Sequence, residues 1–145
     1  VQSVEIGESV ILGHLAAVGP GVSLGNKTQV GVNCGIGVRT KLAENVDIGL
    51  YSFVHHGVSI GANTTIGAHS FIGLRSKLGS DLIIPAGTNL PGGSVILTQN
   101  DLRTHQDAEK TDLNNVRMAA VTELASGIKN AKNVTNNEED LVKAT

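Results

Sequence analysis

Aliphatic residues recur along most of this chain with a period of six. Ile6, Leu12, Val18, Leu24, Val30, Ile36, Leu42, Ile48, Val54, Ile60, Ile66, Ile72, Leu78, Ile84, Leu90 and Ile96 follow one another without a miss. An unbroken run of this length is not a chance pattern, and a fixed short period marks a repeat architecture. The next position reads Gly7, Gly13, Gly19, Gly25, Gly31, Gly37, Ala43, Gly49, His55, Gly61, Gly67, Gly73, Gly79, Pro85 and Pro91. Two residues before the aliphatic sits a small or β-branched side chain, as at Thr28, Cys34, Thr40, Ser52, Thr64, Ser70, Ser76 and Ser94. The pattern predicts a triangular coil. Each hexapeptide supplies a short strand and a corner, and three complete a turn. The aliphatic points inward, and glycine takes the corner, where backbone geometry or crowding excludes a Cβ. Residues one turn apart then stack about 4.8 Å apart, one sheet spacing. The expected fold class is an all-β solenoid, a parallel β-helix over residues 1–97.

After Ile96 the period stops. Residues 98–111 are polar and read as a loop. Leu113, Val116, Ala120, Leu124 and Ile128 then fall on one face of a helix over 112–131, with Asp112 as its N-cap. That stripe needs burial, along a face of its own or a neighbouring β-helix. Residues 132–145 read as a polar tail that frays.

Composition narrows the picture. The chain has 145 residues, enough for one domain with a core, and a formal net charge of −2. A balance of that sign offers no basic field for nucleic acid. No apolar run is long enough for a membrane span, so no membrane insertion is expected. The chain begins at Val1 rather than Met, so a cytoplasmic and a processed, exported protein both stay open. The single Cys34 excludes an intrachain disulfide and a cysteine-based zinc site. Glycine is abundant, and the aromatics are only Tyr51, Phe53 and Phe71, which points to a narrow core of small stacked side chains. Phe53 and Phe71 share one outward column with Ala17 and Gly35. They are expected under the C-terminal helix or in a subunit interface, because flat exposed sheets favour self-association.

One residue breaks the grammar of the repeat. His55 stands where the first thirteen repeats otherwise place glycine or alanine. Its imidazole can be a surface group, a metal ligand or a general base. His56 is expected to face solvent. His69 lies one coil above Tyr51, within reach of a hydrogen bond. His14 shares a column with Val32 and Leu50, about 10 Å from the latter, too far to share a metal. His105 falls in the expected loop. Glu8, Glu44, Asp47 and Asp81 scatter over different corners and form no carboxylate pair. The many G-x-G fragments are repeat corners, not phosphate loops.

Two longer stretches carry a family resemblance. They are Val54-His55 with Ile60-Gly61-Ala62-Asn63-Thr64-Thr65-Ile66-Gly67-Ala68-His69-Ser70-Phe71, and Ile84-Pro85-Ala86-Gly87 with Leu90-Pro91-Gly92-Gly93-Ser94-Val95-Ile96 and Thr98-Gln99. Together with Val121 and Leu124-Ala125-Ser126-Gly127-Ile128, they resemble the γ-class carbonic anhydrases. That family also includes the N-terminal domain of the carboxysome shell-organising protein. The resemblance implies a left-handed β-helix, a C-terminal helix and a homotrimer. It also implies a zinc or iron ion held between subunits by three histidines, whose bound hydroxide attacks CO₂. Carried over residue by residue, His55 falls on one metal ligand. Gly37 and Leu50 occupy the other two ligand positions. Gly19 and Gly21 stand where the family has an active-site Arg and Asp, and Gly31 stands near its Gln. One imidazole does not hold a catalytic metal that needs three protein ligands. The expectation is a trimer with a degenerate metal site and no bound cofactor, or only weakly bound zinc. It would lack normal CO₂ hydration and act as a structural or assembly subunit, open to larger assembly partners. One alternative is an acyltransferase that uses acyl-CoA, with His55 as general base. Another is an active carbonic anhydrase whose metal site has been relocated.

Overall fold

The computed structural model describes residues 3–144, with side chains as far as residue 127. Two-residue strands recur at six-residue steps: β1 (Glu5–Ile6), β2 (Ile11–Leu12), β3 (Ala17–Val18) and onward to β14 (Ile83–Ile84), β15 (Asn89–Leu90) and β16 (Val95–Ile96). All pairings are parallel and join residues one coil apart, as in Gly35↔Phe53 and Phe71↔Asn89. Three flat sheets result. Sheet A is built from β1, β4 (Ser23–Leu24), β7 (Lys41–Leu42), β10 (Ser59–Ile60), β13 (Lys77–Leu78) and β16, sheet B runs from β2 to β14, and sheet C runs from β3 to β15. The period of six thus becomes a left-handed parallel β-helix, as the repeat and the resemblance implied. The aliphatic columns fill its interior: Leu24, Val30, Ile36, Ile48, Val54, Ile66, Ile72, Ile84 and Leu90 are all buried. The inward residues of the first coil are more open, with Ile6 55% and Leu12 42% exposed.

The small residues two places before each aliphatic have a definite task. The hydroxyls of Thr28, Thr40, Ser52, Thr64, Ser70 and Ser76 are buried, and each donates a hydrogen bond to a corner carbonyl of the next coil, whereas Ser94 Oγ donates to Pro91 O within its own corner. Thr28 Oγ1 donates to Ala43 O (3.0 Å), Thr40 Oγ1 to His55 O (2.8 Å), Ser52 Oγ to Gly67 O (3.0 Å) and Thr64 Oγ1 to Gly79 O (2.8 Å). A buried carbonyl left unpaired would be costly, so a hydroxyl at this position locks one coil to the next. Cys34 occupies the same kind of site, with Sγ 3.0 Å from Gly49 O. Burial raises its thiol pKa above the ordinary value, against smaller opposing effects of nearby backbone groups.

The corner glycines are there because of crowding, not unusual dihedral angles. A Cβ on Gly49 would lie 2.5 Å from Ala68 N, and one on Gly73 would lie 2.4 Å from Gly92 N. The left-handed residue of each corner comes two places later and is mostly not glycine. Lys27, Asn33, Arg39, Asn45, Asn63 and Arg75 all have φ between 56° and 62°.

The C-terminal segment differs from the sequence reading. The helix α1 spans Gln99–Ala144, so it begins within residues read as a loop and continues through those read as a tail. Asp112 lies inside it, not at its cap. The cap is Thr98, whose Oγ1 accepts the Asp101 N–H (3.1 Å), while Asp101 Oδ2 accepts the N–H groups of Leu97 and Thr98 (3.0 and 3.1 Å). This is a reciprocal capping box. The side-chain amide of Gln99 then donates to Ile83 O (2.8 Å) and accepts from Ile83 N–H (3.0 Å), which pairs the open edge of β14. Leu102 joins the buried cluster at the end of the core. A buried leucine contributes about 1.5–3 kcal/mol. The chain divides into a first unit ending at Arg103 and a second beginning at Thr104. In the second, Leu113, Val116 and Leu124 of the apolar stripe are exposed.

Candidate functional site

His55 follows β9 (Phe53–Val54) at the corner where sheet C turns into sheet A. Its half-buried ring meets three others edge-on: Phe53 at 5.5 Å between centroids, Phe71 at 6.2 Å and His56 at 4.7 Å. Phe53 and Phe71 stack on each other at 5.7 Å, with an angle of 13° between planes. Gly35 makes room for this arrangement, since a Cβ there would lie 2.8 Å from the Phe53 ring.

Two short hydrogen bonds define the chemistry of the histidines. The backbone N–H of His56 donates to His55 Nδ1 (2.7 Å), and the backbone N–H of Val38 donates to His56 Nδ1 (2.7 Å). A nitrogen that accepts carries no proton, so each neutral imidazole holds its proton on Nε2. Each ring therefore keeps its N–H donor at Nε2. A general base or a metal ligand acting through Nε2 needs a lone pair there. That tautomer would set an Nδ1–H against a backbone N–H.

The other implied metal positions are equally unsuited. Gly37 lies beneath this corner, and a Cβ on it would be 2.5 Å from His56 N and 2.6 Å from His55 C. A histidine could not be placed there without moving the next coil. Leu50 is on the corner before β9, and His55 is on the corner after it. Gly19 is also close against the next coil, with Val38 N 3.0 Å from its Cβ position. Among the described residues, no three His, Cys, Asp or Glu side chains come near enough to share a metal ion. The residues present do not fit a three-histidine metal centre.

The remaining histidines are dispersed. His69 stacks on Tyr51 at 5.2 Å and 7°, a face-to-face contact in place of the expected hydrogen bond. His14 is exposed, and its carbonyl accepts from Asn33 N–H. His105 belongs to α1, not to a loop, with Nε2 3.2 Å from Glu109 one turn on.

A groove that the hydrophobic period does not mark lies beside His55. It has a volume of about 470 Å³ and is lined by Val38, Arg39, His56, Gly57, Leu74 and Arg75. The signal was present in the spacing of the coils, because Arg39, Gly57 and Arg75 stand one coil apart in a single column.

No protein-family model and no curated protein matches the sequence. Solved structures do. The acetyltransferase domain of PglB from Neisseria gonorrhoeae matches with a TM-score of 0.63 at 17% identity, over 65% of this chain and 46% of that one. Serine acetyltransferase (CysE) from N. gonorrhoeae matches at 22% identity with a TM-score of 0.44, over 59% of this chain and 36% of that one. The N-terminal domain of CcmM, solved in complex with CcmN, matches at 18% identity with a TM-score of 0.41, over 68% of this chain and 100% of that one. The chain thus spans less than half the length of the two acetyltransferase structures. Likeness at these identities speaks to architecture alone, and by architecture the chain is a hexapeptide-repeat left-handed β-helix.

Proposed function

We propose that this chain is a structural subunit, a β-helix that assembles as a homotrimer through its flat outer faces and lacks ordinary CO₂ hydration. The observation that carries this reading is the outer face of sheet C. Ala17 and Gly35 keep its lower part flat, and above them the stacked Phe53 and Phe71 are each 39% exposed. Leu50 and Tyr51, on the preceding corner, extend the apolar surface at 44% and 53% exposure. A contiguous apolar patch of this kind on a flat sheet marks an interaction surface. A closed cyclic assembly covers such a patch on every copy without leaving an open end that could extend into a filament.

The site at His55 supports the non-catalytic side of the reading. Its Nδ1 is occupied by a backbone donor, and glycine and leucine occupy the partner positions. The acyltransferase alternative, with His55 as base, would need the ring to turn so that Nε2 becomes an acceptor. A relocated carbonic anhydrase site would need ligands from a neighbouring copy.

Sedimentation equilibrium, metal analysis and a CO₂ hydration assay on one preparation test the proposal together. A trimer is expected, dissociating in the Phe53→Ser/Phe71→Ser double variant, with little zinc and no hydration above background. A monomer at micromolar concentration would refute the assembly. Stoichiometric zinc with CO₂ hydration, both lost in His55→Ala, would refute the inactive site. A thermal shift with acetyl-CoA that disappears in His55→Ala would put the acyltransferase first.

A further inference from the structure

The three corners of the prism differ in chemistry. The corner from sheet A to sheet B carries Glu44, Asn45, Asn63 and Asp81, and the corner from B to C carries Leu50, Tyr51 and His69. The corner from C to A is basic. On one coil it carries Arg39, followed by Lys41 at the start of the next strand of sheet A, and two coils higher Arg75, followed by Lys77. Residues 37–41, 55–59 and 73–77 include no acid. Between the two basic levels lie Gly57 and Ser59. A Cβ on Gly57 would lie 3.4 Å from Arg75 Cγ, so the Arg75 stem borders the space that Gly57 leaves open. The groove of about 470 Å³ opens here, between Arg39 and Arg75, with His56 on its wall.

Every polar side chain lining this groove is a donor. The guanidinium groups have no acceptor. His56 is held with its proton on Nε2 by the Val38 N–H, so its ring also offers a donor. The basic levels are about 10 Å apart, two sheet spacings, and long arginine side chains can converge over that gap. The patch also ends abruptly. The equivalent corner residues one coil below are Pro20, Gly21 and Ser23, and one coil above they are Gly92, Gly93 and Val95. A polymer such as nucleic acid would need the charge to continue. A bounded cluster of donors matches a compact multivalent anion.

We propose that Arg39, His56 and Arg75, over a floor at Gly57, bind the phosphate groups of a small soluble ligand. Lys41 and Lys77 add to the local field from the adjoining face of sheet A. All the residues of the site belong to one chain.

Calorimetric titration with pyrophosphate at low ionic strength tests the proposal, since exposed charges are screened by salt. Saturable binding is expected, weakened at least about tenfold in Arg39→Gln and in Arg75→Gln. Lys27→Gln, on another corner, should bind as the parent does. Gly57→Asn is the second test. Asn33, Asn45 and Asn63 already adopt the same left-handed turn at φ 57°, 56° and 60°, so this variant should fold while its side chain fills the floor and weakens binding. Absence of saturable binding at millimolar pyrophosphate would overturn the proposal. So would equal weakening in Lys27→Gln, or unchanged binding in Gly57→Asn. Binding of a single-stranded oligonucleotide that tightens with its length would replace the small ligand with a polymer.

Discussion

The two kinds of glycine in this fold can be separated by experiment, and Gly37 is the sharpest case. It is buried at the corner below His55, and a Cβ on it would meet His56 N at 2.5 Å and His55 C at 2.6 Å. Ordinary contact begins near 3.4 Å, so the overlap approaches an ångström against backbone that is itself fixed by coil-to-coil hydrogen bonds. Gly37 N–H donates to Val54 O at 2.7 Å, and Gly57 N–H donates to Val38 O at 2.9 Å. Overpacking of this type costs about 1–3 kcal/mol. Replacing glycine also restricts the unfolded chain, which returns about 0.4–1 kcal/mol. The net expectation for Gly37→Ala is a loss of about 1–2 kcal/mol, with steric overlap dominant. Gly93 is the opposite case. Its φ is 75° and nothing lies within 4 Å of its Cβ position, so Gly93→Ala faces only the left-handed penalty of about 1–2 kcal/mol. The same unfolded-state gain partly offsets it, leaving a loss of about 1 kcal/mol or less. Urea unfolding followed by far-ultraviolet circular dichroism, at fixed protomer concentration, measures both. Gly37→Ala as stable as the parent, or less damaged than Gly93→Ala, would refute the crowding argument. It would also reopen the corner to a second metal ligand.

Other expectations follow from the hydrogen-bond ladder, the thiol and the cap. Thr64→Val keeps the shape but removes the hydroxyl that donates to Gly79 O and accepts from Leu82 N–H; it should cost about 1–3 kcal/mol, and thermal melts with no loss of stability would contradict the ladder's role. Cys34 should resist alkylation in the native state and react on unfolding, because its thiol is buried and its pKa raised. The folded state holds that proton more tightly than the unfolded one. The associated stability is therefore complete below the ordinary thiol value of 9.0 and declines as pH rises through the raised value. A Cys34→Ser comparison across that range reads the decline. Thr98→Ala removes the N-cap of α1 and should cost about 1 kcal/mol, seen as reduced helical signal near the melting transition; an unchanged melt would remove the capping box from the account.

What could be read in advance was what the period controls. Sixteen aliphatic positions at one spacing place a core column under each sheet, because each coil repeats the same local geometry and stacks on its neighbour. The site was legible only in outline. His55 was visible as a departure from the corner rule, but its tautomer depends on the His56 N–H that points at Nδ1. The start of α1 is obscured in the sequence by the polarity of residues 98–111, although Thr98 and Asp101 have the spacing of a capping box.

The sequence alone determined the triangular coil, the inward columns and the outward position of Phe53 and Phe71. A six-residue repeat with an obligate apolar member leaves few other ways to bury that member. Only the tertiary structure decided what the corners do. It showed that Gly37 is excluded from carrying a side chain by the next coil, that two imidazoles are held as donors by backbone N–H groups, and that Arg39 and Arg75 flank a groove over Gly57. Each of these depends on distances between coils, and a one-dimensional pattern does not contain them.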